Sequence, residues 1–318
     1  MSRGKAADHV TSVERPADFD EFWDAIMSEA ASIPLEPTFK EIPLRSTEDV
    51  VSYEIHYNSI DGVRIAGYYS VPRESYLEPP YPGLLIVPGY ISDVQVPKEW
   101  AKLGYAAVGV APRGKLRSNG QYNPGYPGLL TDNFTDRNTS AYRGFYVDAC
   151  RAVDFLQTRP EVAQDRIGVH GSSQGGALTI TTSALRSDAI TCGAGGAPYL
   201  CGFMDAASLT HSYPYEEINE YLRVHPDREQ QVRDTVAYFD GINFAPGIQS
   251  PTLIYAGLGD DVCPPETAFD LVAAMTNCDV EFNTYERCAH DAGNYWEMPN
   301  VKTFLAKHLQ PAKNGGAK

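Results

Sequence analysis

Apolar positions change rhythm along this chain. In "PADFDEFWDAIMSEA", Phe19, Phe22, Trp23, Ile26 and Met27 return every three or four residues, the period of a helix with one buried stripe. The spacing predicts a helix over about 17–31, with Asp18 and Glu21 as a capping pair at its start. Two extended segments follow, "DVVSYEIHYNS" and "VRIAGYYSVP", with Asp61-Gly62 as the turn between them, and they read as the antiparallel opening of a sheet. From "GLLIVPG" onward the alternation disappears. Short continuous apolar runs recur at "YAAVGVAP", "RIGVHG", "AITCGAGG" and "PTLIYAG", with "VEFNTY" a weaker member, as expected of strands buried on both faces. Helical stretches lie between several of them. In "GFYVDACRAVDFL", Phe145, Ala149, Ala152, Val153 and Leu156 share one face. Strands alternating with helices predict an α/β fold, a mainly parallel sheet covered on both sides. Residues about 200–245 break the pattern. They are polar, rich in tyrosine and helical in character, and they fall between two strands, where a cap inserted over the strand ends is expected. The tail from about 311 to 318, ending in "KNGGAK", reads as disordered.

Composition narrows the class. A chain of 318 residues, 43% hydrophobic and 21% charged, fits one large soluble domain over 1–318. Acids outnumber bases 41 to 26, a formal net charge of −15, so the surface repels nucleic acid and anionic membrane, and neither is expected as a partner. No apolar run approaches membrane-spanning length, and "MSRGKAADHV" lacks the apolar core of a signal peptide. The six cysteines show no C-x-x-C spacing and read as reduced thiols rather than disulfides or metal ligands. A cytoplasmic location is the expectation.

The chemistry gathers around "RIGVHGSSQGGALTI". Gly171-Ser172-Ser173-Gln174-Gly175 has the form G-x-S-x-G, centred on Ser173 and set between a strand-like run and a helix-like one. A strand turning sharply into a helix leaves its apical serine exposed and strained, and brings the flanking residues too close together for side chains; hence the glycines. The helix start aims N–H groups and a positive dipole end at an oxyanion forming beside the serine. A serine hydroxyl needs a base, itself oriented by an acid, and in this arrangement the acid and then the histidine follow the serine along the chain. Of seven histidines, His9 and His56 precede the motif, His170 reads as a satisfied core residue, His211 and His225 belong to the inserted segment and His308 to the terminal helix. His290, in "ERCAHDAG" after the last strand-like run, remains. The acid should end the preceding strand, where "PTLIYAGLGDDVCPP" offers Asp260 and Asp261.

With these motifs assembled, the chain resembles the acetyl xylan esterase / cephalosporin C deacetylase family of carbohydrate esterases, which has the α/β-hydrolase fold. The resemblance is carried by "RPADFDEFW", "PGY", "APRG", "AYRGFYVDACRAVDFL", "GSSQGG", "PYL", "PYEEIN", "YFDGINFA" and "GLGDDVCPPETAF". It implies Ser173 as nucleophile, Asp260 rather than Asp261 as the acid, His290 as the base, and backbone N–H groups of Tyr90 and Gln174 as the oxyanion hole. It also implies small acyl groups, chiefly acetate, on xylo-oligosaccharides, simple esters or cephalosporins, with neither cofactor nor metal, and a homo-oligomer, a hexameric ring. Tyr199, in "PYL", is expected either to wall the acyl pocket or to pack in the core. Two departures stand out: the family's R-G-Q reads Arg113-Gly114-Lys115, and its H-E reads His290-Asp291. The Lys115 change is expected to alter how Arg113 supports the site, or which ester fits. Two other readings share these motifs. One is a prolyl-oligopeptidase-like serine peptidase, whose N-terminal propeller has no counterpart before the first strands. The other is a hydrolase-fold small-molecule receptor without turnover, which an intact acid, base and nucleophile argue against.

Overall fold

Nine strands make one sheet in the computed structural model, which describes residues 3–312; of the tail expected to be disordered, residues 313–318 lie outside the described residues. The strands are β1 (Thr38–Glu41), β2 (Val50–Asn58), β3 (Arg64–Pro72), β4 (Tyr81–Val87), β5 (Ala106–Ala111), β6 (Val162–Ser172), β7 (Ile190–Gly196), β8 (Thr252–Gly257) and β9 (Val280–Tyr285). Their order is β1-β2-β3-β5-β4-β6-β7-β8-β9. The pairings β1/β2, β2/β3 and β3/β5 are antiparallel, and every pairing from β5/β4 to β8/β9 is parallel. The antiparallel opening and the parallel remainder are those the apolar pattern predicts. Asp61 and Gly62 turn β2 into β3 with φ of 60° and 69°.

Burial on both faces explains the uninterrupted apolar runs. Along β4, Leu85 and Val87 point into one core and Leu84 into the other; along β5, Ala106, Val108 and Val110 are separated in the same way from Ala107. The larger core takes the helices Ala141–Gln157 and Gln174–Leu185; the smaller is closed by Val301, Phe304, Leu305 and Leu309 of the helix Asn294–Leu309. The helix Ala141–Gln157 is buried nearly all round rather than on one face, because the helix Phe19–Ser32 packs over it and stacks Trp23 on Tyr146 at 5.9 Å.

The first helix begins at Phe19, with Asp18 in the N-cap position, but the expected capping pair does not form: no side-chain cap bond is made there. The Asp18 carboxylate is drawn away by the Tyr238 hydroxyl and by Arg137 at 3.0 Å. Two charge-assisted tertiary bonds outcompete one local bond to an exposed helix end. Between β7 and β8 run four short helices, Phe203–Leu209, Glu216–Val224, Glu229–Val236 and Gly241–Phe244. Among the described residues no helix is long and apolar enough to cross a membrane, and all six cysteines are free.

Candidate active site

At the junction of β6 with the helix Gln174–Leu185, Ser173 has φ 61° and ψ −121°, a left-handed conformation that costs a non-glycine residue about 1–3 kcal/mol. Packing holds it there. A Cβ on Gly171 would lie 2.7 Å from the Val87 carbonyl oxygen and 2.8 Å from the Gly175 carbonyl carbon; one on Gly175 would lie 2.5 Å from Val87 O, and one on Gly176 2.5 Å from Gly196 O. The glycines let the elbow backbone lie against β4 and β7. The Ser173 N–H donates to Gly196 O at 2.8 Å, and its carbonyl accepts from Ala177 and Tyr199.

The three distant candidates meet here. His290 Nδ1–H donates to Asp260 Oδ2 at 2.9 Å, leaving Nε2 to accept from the Ser173 hydroxyl at 3.0 Å. Asp260 is buried, and its other oxygen accepts the N–H groups of Val262 and Cys263, both at 2.9 Å. Asp261, its neighbour, is exposed. Asp291 turns its carboxylate to the Ala289 N–H at 2.8 Å, which ties down the loop that carries the imidazole. His170 is the core residue expected, buried with Nδ1 on Ala194 O at 3.0 Å.

A cavity of about 510 Å³ opens on Ser173 and His290, walled by Tyr90, Tyr126, Tyr213, Pro214 and Glu217. Its walls are mostly apolar, and Tyr213, Pro214 and Glu217 come from the stretch between β7 and β8. Tyr90 is the hub. Its hydroxyl donates to Glu217 Oε1 at 2.7 Å and accepts from the Leu130 N–H at 3.2 Å, while Glu217 Oε2 takes the Gly128 N–H at 2.9 Å. Burial pushes the Glu217 carboxyl upward against these bonds, and pushes the Tyr90 phenol up as well.

Of the two places open to Tyr199, the structure gives it the core. It does not line the cavity: it is fully buried a layer behind, edge-on to Tyr90 at 5.8 Å and to Tyr215 at 4.8 Å, so the wall belongs to Tyr90 and Tyr126. Arg113 and Lys115 divide differently from expectation. Arg113 is buried against Asp148, with Nε 2.9 Å from Oδ2 and Nη2 3.0 Å from Oδ1, and it reaches Asp61 at 2.7 Å. Lys115 bonds instead to the carbonyl oxygens of Gly89 and Tyr90. No local signal pairs Glu217 with Tyr90: the glutamate sits in "PYEEIN", and its partner lies 127 positions away.

His9, Asp205 and Asp270 bring three ligand atoms within 4.8 Å of one another, but each is already engaged: His9 Nδ1 with Asp270 at 2.6 Å, and Asp205 with the Thr11 and Ser12 hydroxyls. That cluster contributes nothing to the cavity beside Ser173.

The family model described as acetyl xylan esterase (AXE1) matches residues 5–308. An acetyl xylan esterase from Paenibacillus sp. R4 superposes with a TM-score of 0.89 at 30% identity, over 97% of this chain and all of that one. Acetyl xylan esterase 1 from Thermoanaerobacterium sp. JW/SL YS485 shares the fold, with a TM-score of 0.86 at 24% identity over 96% and 98% of the two chains. The acetyl esterase Axe7A of Xylanibacter ruminicola is 28% identical over 80% of this chain, which spans 59% of that longer protein.

Proposed function

From the premise that the chain belongs to the acetyl xylan esterase family, we propose that it is a serine carboxylesterase that removes acetyl and other small acyl groups from acetylated sugars. The observation that carries this reading is the unbroken hydrogen-bonded relay from Asp260 through His290 to a strained, pocket-facing Ser173. As Ser173 Oγ attacks the ester carbonyl, His290 Nε2 takes the hydroxyl proton, and Asp260 fixes the ring and stabilises its charge. The negative charge that develops on the carbonyl oxygen is met by the N–H groups of Tyr90 and Gln174, the latter at the positive end of the helix Gln174–Leu185. The tetrahedral species collapses, the C–O bond to the alcohol breaks, and His290 returns the proton to the leaving oxygen. Water then repeats the sequence on the acyl-serine, releasing the acid and restoring the hydroxyl.

The cavity supports the substrate class. About 510 Å³ is more than an acetyl group needs and leaves room for a sugar ring or the ring system of a cephalosporin on the alcohol side. A hexameric ring and a cytoplasmic location complete the reading, the first on the likeness to the family and the second on six unpaired thiols suited to a reducing compartment. Ser173→Ala should lose p-nitrophenyl acetate turnover and labelling by a fluorophosphonate, while a peptide anilide is left uncut by the unaltered enzyme. Retained turnover in that variant would overturn the assignment.

A further inference from the structure

Lys115 is out of place by ordinary rules. Its side chain is buried at 2% exposure on the loop that leaves β5, and its partners are two backbone carbonyls rather than a carboxylate. Nζ lies 2.5 Å from Gly89 O, close also to Tyr90 O, and 4.8 Å from the centre of the Tyr126 ring. Asp93, the carboxylate that acts on it, is engaged with Arg117 at 3.3 Å. A cation taken out of water without a counter-ion is expensive, so its placement calls for a use.

The use follows from peptide geometry. Gly89 C=O and Tyr90 N–H belong to one planar trans peptide unit, in which the two bonds point in opposite directions. An ammonium or amine N–H that grips the oxygen on one side therefore aims the Tyr90 N–H to the other. It also polarises the unit, making the N–H a stronger donor, because hydrogen bonds in series reinforce each other. Tyr90 is then fixed from both ends: its hydroxyl by Glu217 and Leu130, its backbone by Lys115.

We infer that Lys115 is a positioning residue for the oxyanion hole, clamping the Gly89–Tyr90 peptide so that the Tyr90 N–H meets the developing charge. This rests on the reading of Tyr90 as an oxyanion donor, and the two can fail separately. A clamp of this kind acts on the transition state and leaves ground-state ester binding alone.

The test compares the unaltered enzyme with Lys115→Met and Lys115→Gln, reading kcat and KM for p-nitrophenyl acetate, the inhibition constant of a phenylboronic acid, and a thermal melt. Lys115→Met should lower kcat about 10- to 100-fold, somewhat less than losing a donor outright, with KM within twofold and boronate affinity falling in step with kcat. Lys115→Gln, which retains a donor without charge, should fall between the two. Cooperative melting with kcat within twofold of the unaltered enzyme overturns the proposal. A kcat loss not followed by boronate affinity also overturns it, since that marks general structural damage. If Lys115→Met gives no folded protein, the same two readouts on Lys115→Gln decide. An unaltered enzyme that neither turns over the ester nor labels at Ser173 refutes the esterase reading itself, a result distinct from any behaviour of the Lys115 variants.

Discussion

Replacing Asp260 by asparagine tests the relay without emptying space. Asp260 Oδ1 is held by two backbone donors, Val262 and Cys263, and Oδ2 by His290. An asparagine must choose which side receives its nitrogen. Facing the two N–H groups, the nitrogen would leave both buried donors unsatisfied at about 1–3 kcal/mol each. Facing His290, it asks only that the imidazole move its proton. The second arrangement wins, so Nδ1 becomes an acceptor and Nε2 carries the hydrogen toward Ser173 Oγ. A protonated Nε2 cannot take the serine proton. The expected loss in kcat is about 10⁴-fold, or about 5.5 kcal/mol of transition-state stabilisation. Stopped-flow acylation by p-nitrophenyl acetate measures it, with the urea midpoint as a check that the fold is intact. A kcat within tenfold of the unaltered enzyme would refute the reasoning, because the serine would then be activated by something other than this imidazole.

Three further outcomes follow from the geometry. Gly175→Ala should destabilise by about 1–3 kcal/mol in urea despite alanine's better helix propensity, because its Cβ would meet Val87 O at 2.5 Å; a stabilised variant would show that propensity prevails over the close approach. Asp148→Ala leaves the buried Arg113 guanidinium with only the half-exposed Asp61 as counter-ion and removes the acceptor for Ser59, so a loss of about 3 kcal/mol is expected, and a shift below 1 kcal/mol would count against the pair as a structural anchor. Burial lowers the Lys115 ammonium to about 7 from its ordinary 10.5, with Asp93 opposing, while the Tyr90 and Tyr126 phenols facing it are pushed up and stay neutral. Between those two values the unfolded chain binds more protons than the folded one, so stability rises with pH across that window and the burial penalty is fully present below it. Urea unfolding of the unaltered enzyme should therefore gain on Lys115→Gln from pH 6.5 to pH 9; parallel curves would contradict this.

How much of this was legible beforehand depends on the range of each interaction. The sheet and its strands could be read because double burial demands unbroken apolar runs, a local property. The elbow could be read because close backbone approach admits only glycine at particular spacings. Asp18 shows where local rules stop: a good capping residue was taken by Tyr238 and Arg137 from distant segments. Tyr199 shows the same limit, since a tyrosine that walls a pocket and one that backs its wall look alike in one dimension.

What the sequence alone determined is therefore the layered α/β framework, the strained serine, and the short set of residues able to serve it. Only the tertiary structure decided which aromatics face the cavity, that Glu217 anchors Tyr90, and that Lys115 grips the Gly89 and Tyr90 carbonyls rather than supporting Arg113. Secondary structure follows from periodicities within a few turns of chain, whereas hydrogen-bond partners are chosen by proximity in space, which no spacing along one strand or helix encodes.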